Sequence, residues 1–402
     1  MTATRIVRGA TIAAVVAAWS VAAALLWRTK VPDGLRVPTL DENAVFGRAL
    51  VRDAARYERL LDLLWLGATL TVLAVLVLLA RPGSRLARGL GLGRVNAGIV
   101  VGVVSLTIVW AAGLPWVLAT QWWERRHGIS FAGYAQTVIG AWETLLGRTL
   151  VAFVVLAVVL GLAKGLHGRW WLAAAPAVIA LVAAAAFLQP YAETLGTNPV
   201  RNRELRAAIA RLERREHAGD RPVRVQRVSS RTRVANAFAI GVGPSERVIL
   251  WNTLLRKFGF REVRFTTAHE LAHLARNHTL KGLAWFALFG LPVLGVIALV
   301  TERRGGVRDP ANVPLGLLVV LATTLALFPL SNAISRRYET EADWIALGAT
   351  HDPAAARGLF KGFTRLSLQD PTPPGWVRVF LNDHPTTLRR IEQARAWALR
   401  NP

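Results

Sequence analysis

No cysteine occurs among the 402 residues. That absence removes disulfides, thiolate zinc sites and cysteine nucleophiles together, leaving histidine and carboxylate to hold any metal. Histidine is itself scarce at 8, so each candidate ligand can be weighed individually. Acids are outnumbered, 25 against 49 Lys and Arg, for a net charge of +24. In a soluble chain such an excess would suit nucleic acid. Here the arginines cluster between apolar runs, where membrane proteins hold them against anionic lipid, so the partner is a bilayer and not nucleic acid. Methionine is confined to the initiator and lysine is rare, a bias that points to a GC-rich bacterial genome. Neither internal repeats nor low-complexity tracts are visible.

What is present is hydrophobic sequence, 53% of residues, in long uninterrupted runs. Seven runs approach the roughly 20 residues that a helix needs to cross hydrocarbon. They are Gly9–Trp27, Leu61–Ala80, Ala97–Ala119, Thr149–Ala163, Trp170–Leu188, Gly282–Val300 and Val313–Leu330. The first follows Arg5 and Arg8 and has no clear small-x-small cleavage site, so it reads as an anchor and not as a signal peptide. Four segments result: 1–188 with five spans, 189–281 soluble, 282–332 with two spans, and a polar helical tail at 333–402. A charged interfacial helix is expected around Asp41–Arg59.

Within 189–281, Leu205, Ile209 and Leu212 share one face of a helix over Arg203–His217. Val223, Val225 and Val228 alternate with polar residues as in a half-buried strand, and Ala235–Val242 with Arg247–Trp251 make a hairpin-like pair. Asn252 is placed to cap a helix at Thr253–Lys257, and Gly259 breaks the chain before the next helix.

That next helix carries His269-Glu270-Leu271-Ala272-His273. Imidazoles four residues apart lie about 40° from each other on one helical face, so both can reach one Zn²⁺ while the intervening Glu leans toward a water. His278 lies five residues on, about 140° around the same helix, and cannot join that metal. The long metalloprotease signature would need Gly at 276 and His at 279, but Arg276 and Thr279 stand there, which excludes that class. Intramembrane site-2 proteases bury the motif in an apolar span, whereas Arg261, Glu262, Arg264, Arg276 and Asn277 flank this one. No matching Asp occurs in Phe286–Val300 either.

The carboxylate options lie just past the last span. Glu339 and Asp343 are four apart and share a face, so one can bind metal while the other holds an imidazole or an arginine. Glu341 points about 200° away from Glu339, so only one of those two can belong. Further on stands Asn382-Asp383-His384-Pro385, with Arg389 and Arg390.

In these motifs the chain resembles the integral-membrane zinc metalloproteases of the type-1 CAAX prenyl endopeptidase family, with the membrane heat-shock protease as a cousin. Leu114-Pro115 with Glu124–Gly128, Asn236–Phe238 through Arg247–Leu255, His269–His273, Ser335–Asp343 and His384-Pro385 with Arg390 carry the likeness in the same order. The resemblance implies a mainly α, polytopic membrane fold with about seven transmembrane helices around a zincin-like catalytic domain that holds a small β-hairpin or sheet. It implies one Zn²⁺ per chain held by His269, His273 and Glu339, with Glu270 as general base and His384 stabilising the transition state. Asp343 and Arg390 would support the ligands. Asn236, Ala237 and Phe238 would form the edge strand that pairs with an extended peptide or protein substrate. Asp383 departs from the Ser or Thr usual before the His-Pro of that family, which bears on substrate more than on chemistry.

The function expected is a membrane zinc metalloendopeptidase. A quality-control protease of the heat-shock type shares its chemistry, and a non-catalytic scaffold would be expected to have lost Glu270 or a ligand. Seven spans put the termini on opposite sides, with the catalytic segments on the side of the C-terminus. Arg5, Arg8 and the loop bearing Arg81, Arg85, Arg88 and Arg94 favour a cytoplasmic N-terminus by the positive-inside rule. The resemblance implies the reverse, a catalytic face on the cytoplasmic side of a multi-pass bacterial cell-membrane protein, and that orientation is adopted. A single cysteine introduced in residues 82–94 then reacts with a membrane-impermeant maleimide in intact cells. Labelling only after permeabilisation would reverse the orientation.

Overall fold

A computed structural model describes residues 2–81 and 91–401. Arg85 and Arg88 of the basic loop lie outside the described residues. The chain begins with helix α1 (Thr2–Leu26), a short α2 (Glu42–Phe46) and the long α3 (Arg48–Leu79) and α4 (Arg94–Arg126). Next come α5 (Tyr134–Leu166) and α6 (Trp170–Glu193), joined by one tight turn at His167–Arg169. By length and hydropathy, five described stretches are able to cross a membrane, where the sequence suggested seven. The difference has two causes. Residues 134–193 run as one stretch although they hold two helices, and the apolar part of α1, Ala13–Leu26, is short. Two expected boundaries also move. The charged interfacial helix is continuous with the second span in α3, and the fourth span starts fifteen residues early, at Tyr134.

The segment after α6 folds as β1 (Asn198–Pro199), α7 (Arg203–Glu216), β2 (Val223–Gln226), β3 (Ala237–Ile240), β4 (Arg247–Trp251), α8 (Asn252–Lys257) and α9 (Phe260–Ala275). Its sheet has the order β1-β2-β4-β3. β2 and β4 run parallel, and β3 pairs with β4 antiparallel from Ala237 opposite Leu250 to Ile240 opposite Arg247. β3 is therefore an edge strand. The turn between β3 and β4 needs Gly241, whose φ is +96° and whose added Cβ would meet the Ser245 carbonyl oxygen at 2.5 Å. Asn252 does not cap α8 as the sequence suggested; its Oδ1 accepts the backbone N–H groups of Val228 and Ser229, tying the end of β2 to α8.

Two long helices follow, α10 (His278–Glu302) and α11 (Val313–Thr350), and then α12 (Pro353–Ser367), α13 (Gly375–Phe380) and α14 (Thr387–Arg400). α11 is apolar through Leu330 and then continues toward α9, where Ala342, Ala346 and Leu347 are buried. The largest apolar cluster joins α7, β4, α9, the end of α11, α12 and α14 through Leu205, Leu250, Phe265, Leu271, Phe360 and Trp397. α9 lies in the middle of it, with Phe265, Ala268, Leu271 and Ala272 wholly buried. Bidentate hydrogen bonds from Arg261 to Asp352 hold the start of α9 to the start of α12.

One buried acid was not foreseen. Both carboxyl oxygens of Glu216, at the end of α7, are buried without a hydrogen-bond partner. Burial pushes its pKa up to about 9, with the charge of His269 pulling weakly against that rise. Between its ordinary value and about 9 the folded state keeps a proton that the unfolded chain releases, so this group makes stability fall as pH rises through that window. Glu216→Gln is expected to raise the melting temperature at pH 8 by a few degrees and to flatten its decline between about pH 5 and 9. An unchanged pH profile in thermal unfolding would contradict this account of Glu216.

Candidate active site

α9 positions the first three functional side chains by its period alone. His269, Glu270 and His273 fall in its last two turns, and both His269 and Glu270 are buried. α11 crosses α9 just past its apolar stretch and brings in Glu339. The His269 and His273 Nε2 atoms then face each other at 3.1 Å. Glu339 Oε2 stands 3.2 Å from the first and Oε1 stands 3.3 Å from the second. Ligand atoms at about 2.0–2.1 Å from a tetrahedral Zn²⁺ would be about 3.3 Å apart, so the three groups fit that ion. Glu339 Oε2 is also buried and accepts no hydrogen bond, leaving an orphan that a cation would satisfy.

Behind His269 the support is explicit. Its Nδ1 lies 2.9 Å from Asp343 Oδ1, which leaves Nε2 as the free lone pair. Arg390 in turn donates to both Asp343 oxygens, at 2.7 Å and 2.6 Å, and stacks on the Phe360 ring. Burial disfavours a charged His269, but the Asp343 and Glu339 carboxylates beside it prevail and lift its pKa to about 10.

His384, in the loop before α14, approaches from the open side. Its Nε2 is 3.4 Å from Glu339 Oε1, and its Nδ1 is 2.7 Å from Asp383 Oδ1. Burial works against its protonation, yet Asp383 and Glu339 raise its pKa above the ordinary imidazole value. Asp383 thereby orients the ring toward the cluster.

The edge strand runs alongside. Ala237, Phe238 and Ala239 share with His269, Glu270, His273 and Glu339 the wall of a cavity of about 860 Å³, which extends between α6, α10 and α11 past Trp285, Phe289 and Phe328. A second cavity of about 440 Å³ opens on the other flank of Glu270 and Glu339, against Asn236, Glu58, Glu124 and His384. The cluster therefore sits between an apolar hollow reaching into the spans and a smaller cleft of mixed polar and apolar lining.

All the residues singled out in the sequence thus meet in one region, but two that were set aside stand there as well. His278 was set aside on the assumption of one continuous helix. The helix ends at Ala275, and Asn277 turns the chain at φ +53°, so His278 begins a new helix and folds back behind His273. Its Nδ1 lies 2.9 Å from His273 Nδ1, the nitrogen turned away from the cluster. Glu341, angled away from Glu339, meets His278 Nε2 at 3.2 Å. The sequence signal for this arrangement was Arg276-Asn277, a pair that tolerates a left-handed turn at its Asn.

Comparison with known proteins bears on family and fold. The model of Peptidase family M48 matches residues 199–398. A Bacillus subtilis (strain 168) protein named "Uncharacterized metalloprotease YhfN" is 30% identical over 239 residues, 56% of this chain and 56% of its own length. A "Protease HtpX homolog" of Methylibium petroleiphilum is 29% identical over 181 residues, 40% of this chain and 64% of its own. The chain thus spans less than two thirds of either relative. The crystal structure of S. mikatae Ste24p shares the fold, with a TM-score of 0.70 over 94% of this chain and 96% of that one, at 17% identity.

If the three facing atoms are ligands, purified protein carries about one zinc per chain and Glu339→Ala carries a small fraction of that. Atomic absorption on the two preparations checks it, and equal zinc in both would remove Glu339 from the ligand set.

Proposed function

We propose that this chain, whose residues 199–398 are a peptidase family M48 domain, is an integral-membrane zinc metalloendopeptidase working at the face of a bilayer. The observation that carries the reading is the convergence of His269, His273 and Glu339 within 4.8 Å, with Glu270 on the wall of the same cavity. Zinc, when bound there, would supply a Lewis acid and lower the pKa of a water from about 15.7 toward ~7.

The chain's own residues do the rest. Glu270 accepts a proton from the attacking water and returns it to the leaving amine. His384, held by Asp383, donates its Nε2–H to the oxyanion; such donors typically contribute about 3–4 kcal/mol. Asp343 and Arg390 keep His269 in the tautomer whose Nε2 faces the cluster. The open edge of β3 pairs with an extended substrate, so affinity comes from main-chain hydrogen bonds with little demand on side chains. Asn236 is exposed at the start of that edge, and Phe238 lies half-buried beside the larger cavity.

Likeness to prenyl endopeptidases extends the reading to substrates with an apolar part. The 860 Å³ cavity reaching into the spans supports that extension, because it gives such a part somewhere to lie while the peptide stays on β3. A heat-shock-type quality-control protease shares every step and differs only in substrate. A non-catalytic scaffold is disfavoured by an intact Glu270 and ligand set. The catalytic segments are assigned to the cytoplasmic side, with lipid around α3–α6, α10 and the apolar part of α11.

Glu270→Gln is expected to keep its zinc and to lose about 10²–10⁴-fold in peptide hydrolysis, measured with a quenched fluorescent peptide in detergent. Near-parental turnover in zinc-loaded Glu270→Gln would sink Glu270 as the base.

A further inference from the structure

His269 has a carboxylate on its outer nitrogen. His273, its equal in the cluster, has none within reach. Its Nδ1 meets another imidazole instead, His278 Nδ1 at 2.9 Å. Two ring nitrogens at that distance need one proton between them: one donates and the other accepts. His278 Nε2 faces Glu341 Oε2 at 3.2 Å, and a carboxylate only accepts, so Nε2 must carry a hydrogen. A neutral His278 is then left with a lone pair on Nδ1. The hydrogen between the rings must belong to His273 Nδ1, and His273 Nε2 keeps its lone pair for the cluster.

We infer that Glu341 and His278 form a relay that holds His273 in the metal-ready tautomer, doing through two groups what Asp343 does for His269 directly. These are positioning residues, because neither reaches the facing atoms. The inference rests on the zinc reading of the site.

The relay is anchored on every side. Glu341 is wholly buried, accepts from Arg276 Nε at 2.8 Å, and accepts the backbone N–H of Lys30 at 2.9 Å. The His278 ring stacks on Tyr338 with centroids 4.5 Å apart and planes 10° from parallel. The Tyr338 hydroxyl accepts from Trp285 Nε1 at 2.8 Å and donates to the Leu26 carbonyl at 2.9 Å. Thus α9, α10, α11 and the end of α1 all meet at this pair of side chains. A rigid mount of this kind fixes the ring plane of His273 as well as its tautomer.

The test is zinc affinity, measured on full-length protein in detergent by competition with a chromogenic chelator, beside the melting temperature of the metal-free form. Parent, His278→Phe and His278→Gln are compared. Phe keeps the stack on Tyr338 and loses both hydrogen bonds, while Gln retains an acceptor for His273 and a donor for Glu341. His278→Phe is expected to bind zinc about 10–100-fold more weakly than the parent, the usual cost of removing an outer partner of a ligand imidazole. Its metal-free melting temperature should stay near that of the parent, and His278→Gln should recover most of the affinity. Zinc affinity within about twofold of the parent in His278→Phe, or a loss that His278→Gln shares in full, would overturn the relay. If His278→Phe does not yield folded protein, His278→Leu, which also lacks both hydrogen bonds, replaces it under the same twofold criterion. A parent that binds no zinc would remove the metalloprotease reading and the relay with it, whereas a zinc-binding parent with an unaffected His278→Phe removes the relay alone.

Discussion

Two imidazole nitrogens facing each other at 3.1 Å, with a buried carboxylate closing the triangle, cannot hold their positions unaided. Without a cation between them, lone pairs converge and the arrangement repels itself. The surrounding structure is the answer to that constraint. α9 is packed against the largest apolar cluster through Phe265, Ala268 and Leu271, and α11 runs out of its apolar stretch to bring in Glu339. Arg390 arrives from α14 to neutralise Asp343 where water is excluded. An acid buried beside the ligand helix without such a partner, Glu216, shows by contrast what the same environment does to an unpaired carboxylate. The Asp343–Arg390 pair and the Glu341–Arg276 contact are therefore conditions for a cluster of this charge to exist inside the protein at all.

Placement decides what the cluster can meet. The apolar cavity reaches from Glu270 into the spans, while the smaller cleft on the other flank faces polar groups. A substrate laid along β3, as proposed, would pass between the two, with one part in an apolar setting and its scissile bond beside Glu270. This arrangement explains why a hydrolytic site can stand at the end of a helix bundle instead of within it. The proposed role of Glu270 needs water there, and Arg261 and Arg264 on α9, with Arg276 just past its end, are groups that no lipid would accept.

How much of this could be read in the sequence depended on how local each feature was. His269 and His273 were legible because a four-residue spacing on a helix is a local fact. The strands β2, β3 and β4 followed from alternation and turn residues. Glu339 needed more, since it stands 66 residues after His273 and two long apolar runs intervene. Periodicity there narrowed the choice without settling it, and the resemblance supplied the rest. His278 stands outside the ligand triangle, as its spacing suggested, but its place behind His273 was hidden because the angular argument assumed one helix where Asn277 breaks it. Asn252 looked like a cap, but the backbone N–H groups of Val228 and Ser229, just past β2, take the same side-chain oxygen. The burial of Glu216 depends on how α7 packs against α9, which no window of sequence reports. Five described apolar stretches stand where seven spans were expected, because one turn at His167–Arg169 leaves two helices nearly continuous and the apolar part of α1 is short.

Zinc K-edge X-ray absorption on purified protein tests the ligand set most directly. Two imidazoles and one carboxylate predict a four-coordinate shell of nitrogen and oxygen at about 2.0–2.1 Å, with outer-shell scattering from two imidazole rings. A shell of oxygen alone, or one without imidazole scattering, would contradict the site at its centre.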